Sequence, residues 1–150
     1  MLAELAPPVV CVSRRFHAPP EQVFDAWLNC RSARGWLFAT PGGEMVRCDI
    51  DARVGGWYII TERRDGQDVE HAGQYLQIDR PRRLVFTFGL PGSSGDMARV
   101  SVDIHSVYGG CELTLTHELS PRWAAFAART EQGWDNVLRG LARALGDTRR

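Results

Sequence analysis

Lysine is missing from this chain: all 18 of its basic residues are arginine. That excludes a Schiff-base lysine, a phosphate-loop lysine and a Ser-Lys dyad, and the bias itself fits codon usage in a GC-rich genome. A net charge is missing as well, because 18 acidic residues balance the arginines. Nucleic acid and anionic membranes call for a basic field that the whole chain does not supply, so no nucleic-acid partner is expected. Cysteine is sparse and unpaired in sequence: Cys11, Cys30, Cys48 and Cys111 stand singly, with no C-x-x-C and no Cys/His spacing of the zinc-holding kind. They read as reduced, mostly buried small hydrophobes, and neither a metal nor another cofactor is expected. No apolar run approaches the ~18 residues of a membrane helix. Met1 to Val12 lacks the basic and apolar regions of an export signal, which makes the cytoplasm the expected location.

What is present is one domain's worth of globular sequence: 150 residues, 44% hydrophobic, without linker, repeat or low-complexity tract. A chain of this length buries roughly 70% of the surface its unfolded form exposes, enough for a core without staples. Val9 to Phe16 is β-branched and partly alternating, and predicts a first strand. Pro19 and Pro20 then admit a helix through Val23, Ala26 and Trp27, and Arg31 to Phe38 predicts a second short one before Thr40-Pro41-Gly42-Gly43.

From Glu44 the period changes to two. Six runs follow: Glu44 to Ala52, Trp57 to Arg64, Val69 to Asp79, Arg83 to Gly89, Ala98 to Val107 and Cys111 to Leu119. Asp65-Gly66 and Gly109-Gly110 are two-residue hairpin signals and Pro91 to Gly95 a longer loop, so the pairing should be antiparallel. Alternation places Leu84, Phe86 and Phe88 on one face, and Leu113, Leu115, His117 and Leu119 on another such set.

After Ser120, a candidate N-cap, the 3.6 period returns. Trp123, Phe126, Ala127, Thr130, Trp134, Leu138, Leu141 and Leu145 form a stripe that predicts one amphipathic helix of about 25 residues. Gly133 inside it costs roughly 1 kcal/mol relative to alanine, which points to a close approach of backbone to sheet. The order of elements is that of an α+β domain, with a curved antiparallel sheet whose apolar face the terminal helix covers.

Several segments taken in order resemble the START-like helix-grip superfamily. They are Ala18 to Trp27, the Arg53-Val54-Gly55-Gly56-Trp57-Tyr58 turn, Gly73-Gln74-Tyr75, Arg83 to Thr87, Leu113 to Glu118 and Glu131 to Leu138. Within it they are most similar to the group named after the Hsp90 ATPase activator homologue. The resemblance runs from about Val9 to Leu145 and implies a seven-stranded sheet wrapped around the long C-terminal helix, with two short helices closing one end of a cavity. It implies less about activity, since members of the superfamily bind lipids, hormones or polyketides and some are cyclases or hydrolases, and fold does not fix function.

The residues themselves offer an inward imidazole and a ring-lined space. His117 shares phase with Leu113 and Leu115 and should face the cavity, where a neutral-range pKa suits a hydrogen bond to a ligand or acid-base work. His71 is a weaker candidate of the same kind, and His17 and His105 read as solvent histidines. Trp27, Trp36, Trp57, Tyr75, Phe86, Phe88, Trp134 and Leu138 complete the candidate lining. Mostly apolar pockets with a few polar groups are what small-ligand sites require. The leading expectation is a binding protein for a small apolar or aromatic molecule. The alternatives are a cyclase- or hydrolase-type enzyme using His117, although no catalytic constellation is recognisable, and a chaperone-associated interaction module. No inward carboxylate pair is evident, and the Arg80, Arg82, Arg83 cluster and Arg149-Arg150 read as solvated surface. A homodimer is left open.

Overall fold

The computed structural model describes residues 9–88, 98–119 and 121–146, with 121–123 by backbone alone. Chain order is β1 (Val9–Phe16), α1 (Pro20–Ala26), α2 (Cys30–Ala33), β2 (Glu44–Ile50), β3 (Trp57–Arg64), β4 (Gln67–Asp79), β5 (Arg83–Phe88), β6 (Ala98–Val107), β7 (Gly110–Glu118) and α3 (Ala127–Ala144). The seven strands form one antiparallel sheet in the order β1-β7-β6-β5-β4-β3-β2. Strands β2 to β7 are thus a meander, and β1 is laid against the last strand, from Val9 opposite Glu118 to Phe16 opposite Cys111. The sheet does not close, so β1 and β2 are its edges.

The period-two pattern decides which face is apolar. Leu84 and Phe86 of β5 stand opposite Val102 and Val100 of β6, which in turn stand opposite Leu115 and His117 of β7, and all six are buried. Against this face α3 presents Trp134, Leu138, Leu141 and Ala142, the buried members of its stripe, and it packs most extensively on β1. A helix and a sheet that each carry one apolar face must cover one another. The opposite side of α3 is polar, with Arg139 paired to Asp135 at 3.1 Å.

Turn chemistry works as read at Asp65-Gly66, where both residues have positive φ (50° and 79°), as a tight hairpin twist requires. The β6–β7 turn differs by one position from the expected Gly109-Gly110. Tyr108-Gly109 makes the turn, and Gly110 is already paired with Val107. Gly110 is needed for another reason: a Cβ there would sit 1.9 Å from the Phe16 carbonyl oxygen.

Three further readings are corrected. The second helix is a single turn, Cys30–Ala33, started by the Asn29 side chain accepting from the Arg31 N–H at 2.9 Å. The chain then continues in turns to Phe38, whose φ of 59° no helix contains. The terminal helix is not continuous from Pro121, because Pro121–Phe126 winds as a 3₁₀ segment before α3 begins. Nor does Gly133 serve a close approach, since a Cβ there would meet nothing within 4 Å; the tight helix glycine is Gly140, whose Cβ would lie 3.3 Å from that of Trp36. The expected Ser120 cap, the Pro91 to Gly95 loop, Arg149-Arg150 and the side chain of Trp123 lie outside the described residues.

These glycines predict substitutions of opposite sign, readable as urea midpoints. Gly110→Ala forces a methyl group onto a backbone oxygen and is expected to cost about 1–3 kcal/mol. Gly133→Ala is expected to gain about 0.5–1 kcal/mol, since helix propensity improves into open space.

Candidate functional site

The candidate rings separate into two groups. At the end closed by α1, Trp27 meets Trp36 edge-on at 4.9 Å and Phe86 at 6.2 Å, and Tyr58 meets Tyr75 at 5.7 Å. The space between Trp27, Leu37, Phe38, Tyr58, Tyr75, Leu84 and Phe86 amounts to only about 10 Å³. That is about one probe sphere, the least that a water needs. Trp27, Trp36, Tyr75 and Phe86 are therefore close-packed core and not the wall of a hollow. Trp57 is placed elsewhere altogether, 53% exposed, because Tyr58 and Ile60 take the inward phase of β3 and leave their neighbour outside.

A second space of about 300 Å³ opens at the other end, against the first half of α3. Phe38, Ala39 and Thr40 close it on one side, and Arg64 from the end of β3, His71 from β4 and Phe88 from the end of β5 form its floor. From the helix come Thr130, Gly133, Trp134, Asn136 and Val137. Of the residues expected from sequence, Phe88 and Trp134 line this cavity directly. Leu138 and His117 are buried outside the lining, His117 directly against Trp134.

Phe38 is the hub of the wall. Its ring stacks on His71 at 4.2 Å and meets Phe88 at 5.4 Å and Trp134 at 5.7 Å. A bulky residue at positive φ is strained, so the surroundings must hold it. They do so through Arg64, whose guanidinium donates to the Phe38 carbonyl at 3.0 Å and to the Glu62 carboxylate at 2.5 Å. Glu62, only 2% exposed, also accepts from the Thr40 N–H at 2.7 Å and the Thr40 hydroxyl at 2.8 Å. Burial by itself would raise its pKa, but the hydrogen bonds from Arg64 and Thr40 outweigh that and hold it below the ordinary glutamate value. Gly43 leaves room for this carboxylate, since a Cβ would come within 2.3 Å of it.

Both imidazoles in this region are neutral at pH 7. Burial pushes His117 down to about 4, and burial with the nearby Arg64 charge does the same for His71. Trp134 Nε1 donates to His117 Nδ1 at 2.8 Å, which places the imidazole's own proton on Nε2, a buried atom without a partner among the described residues. An imidazole used in this way is a helix anchor, sealed from the cavity that an acid-base role would require it to reach. His71 Nδ1 is likewise buried and unpartnered among the described residues, but its ring faces the cavity.

Phe38, Thr40, Glu62 and Arg64 were not singled out by sequence reasoning. Glu62 is one inward carboxylate and not a pair, and it was not picked out from the sequence. Its signal was legible, since Glu62 and Arg64 continue the Tyr58–Ile60 phase into the buried face. The remaining histidines lie outside: His105 is exposed beside Glu112 at 3.3 Å, and His17 is exposed in the turn after β1. The arginine cluster is largely solvent-exposed as read, with Arg80 bidentate on Asp25 at 2.8 and 2.9 Å and Arg83 on Asp103 at 2.6 Å.

The two depressed imidazoles make stability depend on pH with a definite sign. Between the ordinary histidine value of about 6.5 and the folded value of about 4 the unfolded chain binds more protons, so stability falls as pH falls through that window. Each imidazole is expected to remove about 2 kcal/mol between pH 6.5 and pH 5, measured by urea unfolding. His71→Phe should halve the slope.

Comparison with known proteins agrees with this architecture. None of the curated proteins matches the chain. Among solved structures, one from Chromobacterium violaceum is 26% identical with a TM-score of 0.82, covering 94% of this chain and 98% of its own. One from Rhodobacter sphaeroides is 21% identical with a TM-score of 0.82 over the full length of both. The solution structure of an Activator of Hsp90 ATPase homolog 1-like protein from Aeromonas hydrophila is 20% identical with a TM-score of 0.76, covering 91% and 92%. The family model described as Activator of Hsp90 ATPase homolog 1-like protein matches residues 17–146. With its open seven-stranded sheet gripping a C-terminal helix, the chain belongs to the Activator of Hsp90 ATPase homolog 1-like family.

Proposed function

We propose that this protein binds a small, largely aromatic or apolar molecule in the cavity between α3 and the open end of the sheet. The observation that carries this reading is the cavity itself, about 300 Å³ walled by Phe38, Phe88, Trp134 and Val137 and edged by Thr40, Arg64, His71, Thr130 and Asn136. Binding sites of small molecules have this make-up and begin at about this size. An apolar cavity of about 150 Å³ accommodates benzene, so twice that volume suits a molecule of one or two rings. The polar edge orients such a guest. Neutral His71 offers a single hydrogen bond, and Arg64, already committed to Glu62 and the Phe38 carbonyl, keeps the mouth from carrying a free charge.

Gly133 supports the same reading. A glycine in mid-helix is unfavourable by roughly 1 kcal/mol, and this one borders open space where a larger residue would intrude. Acid-base catalysis by His117 finds no support, because that ring is committed to Trp134 and lies outside the cavity wall. The family's description also brings a chaperone-associated role as a second reading. That role calls for an outer surface, and Trp57, half in solvent on β3, is the residue it would use.

Titration of 2-naphthol against tryptophan fluorescence tests the cavity. Wild-type protein is expected to bind it, and Gly133→Leu to weaken binding at least tenfold while the melting temperature stays within a few degrees. Equal affinity in the two proteins would sink the proposal. Capture of a chaperone that Trp57→Ala weakens and Gly133→Leu leaves alone would favour the second reading instead.

A further inference from the structure

One pair of side chains outside the cavity has no part in that reading. Cys30 opens α2 and Cys48 lies on the edge strand β2, 18 residues apart in sequence, yet their sulphurs stand 3.1 Å from each other. The Cys30 thiol donates to the Cys48 carbonyl at 3.0 Å, and the Cys48 thiol donates to the Cys30 sulphur. Both residues are half-buried, whereas Cys11 is exposed and Cys111 is fully covered. A disulfide bond is about 2.05 Å long, so the sulphurs must close by only about 1 Å. The element that carries Cys30 is a four-residue helix with Cys30 at its first position, next to the Asn29 cap.

We propose that Cys30 and Cys48 are a reversible modification site that closes to a disulfide in the presence of a hydroperoxide and is reopened by a thiol reductant. The Cys48 sulphur, 3.1 Å away, can donate its proton to a thiolate at Cys30, so Cys30 is the attacking sulphur and Cys48 the resolving one. Burial, with the adjacent Cys30, pushes Cys48 up to about 12, which keeps it protonated as the donor. The Cys30 thiolate attacks the terminal peroxide oxygen, the O–O bond breaks, and the departing alkoxide takes up a proton. The resulting Cys30 sulfenic acid is attacked by Cys48, and its hydroxyl leaves with the Cys48 proton as water. Two thiols thereby lose two protons and two electrons, and the hydroperoxide becomes an alcohol and water.

The crosslink ties an otherwise one-sided edge strand to α2, and it also anchors the start of the segment that carries Phe38 to Thr40 into the cavity wall. Its formation does not depend on whether the cavity takes a guest. Closing a loop of this length restricts the unfolded chain, so the oxidised form is expected to melt about 5–10 °C higher than the reduced one.

The test is peptide mapping of the full chain after hydrogen peroxide and alkylation, without reduction. Because trypsin cuts only at arginine here, Cys30 falls in peptide 16–31 and Cys48 in peptide 48–53. The expected result is a linked pair of these peptides that disappears with dithiothreitol. In Cys48→Ser the expected product is a Cys30 sulfenic acid that dimedone traps, with no rise in melting temperature. Recovery of both peptides singly alkylated after peroxide, or oxidised to sulfinic acid without the link, would overturn the proposal. Should Cys48→Ser fail to fold, the wild-type map decides alone.

Discussion

A single buried hydrogen bond governs how the helix sits on the sheet. Trp134 Nε1 donates to His117 Nδ1 at 2.8 Å, between two residues that are only 3% and 2% exposed. Buried indole and imidazole groups are costly when unpaired, so the two must meet, and their meeting sets the height and rotation of α3 over β7. Leu138, Leu141 and Ala142 then continue the contact along the helix, while the turns before Trp134 stand off the sheet far enough for a hollow to remain.

The opposite wall depends on a buried carboxylate. Glu62 at 2% exposure is tolerable only because Arg64 and both donors of Thr40 satisfy it. The same arginine reaches the Phe38 carbonyl, so one guanidinium neutralises a charge and secures a strained backbone. Phe38 in turn spans both halves of the interior, touching Tyr58 on the filled side and Trp134 on the open side. Its ring is the partition that leaves one end of the grip solid and the other hollow. Strain held by surrounding contacts is typical of residues that shape a binding space.

Much of this was legible along the chain. Strand phases in β5, β6 and β7 assigned the inward sets correctly, because a pleat of period two leaves no choice of face once one side must be buried, whereas Trp57 of β3, read as inward, lies on the outer face. His117 and Trp134 were both read as inward from different elements, β7 and α3. What periodicity could not show is that they face one another, since their relation depends on where the helix lies. The hairpin at Asp65-Gly66 followed from its dipeptide, but the end of α2 did not. Residues 31–38 are compatible with a helix by local preference, and only Arg64 and His71, far along the chain, hold Phe38 in the left-handed region.

The sequence alone therefore determined the element order, the apolar face of each strand, the terminal helix and the family resemblance, because all of these rest on local periodicity and turn chemistry. The tertiary structure alone decided which aromatic rings fill space and which surround it. That outcome depends on packing between elements far apart in the chain, and one residue's displacement moves a ring from wall to core. It also decided that Cys30 and Cys48, unremarkable in their spacing, stand sulphur to sulphur, since only the fold brings a short helix against the edge of a sheet.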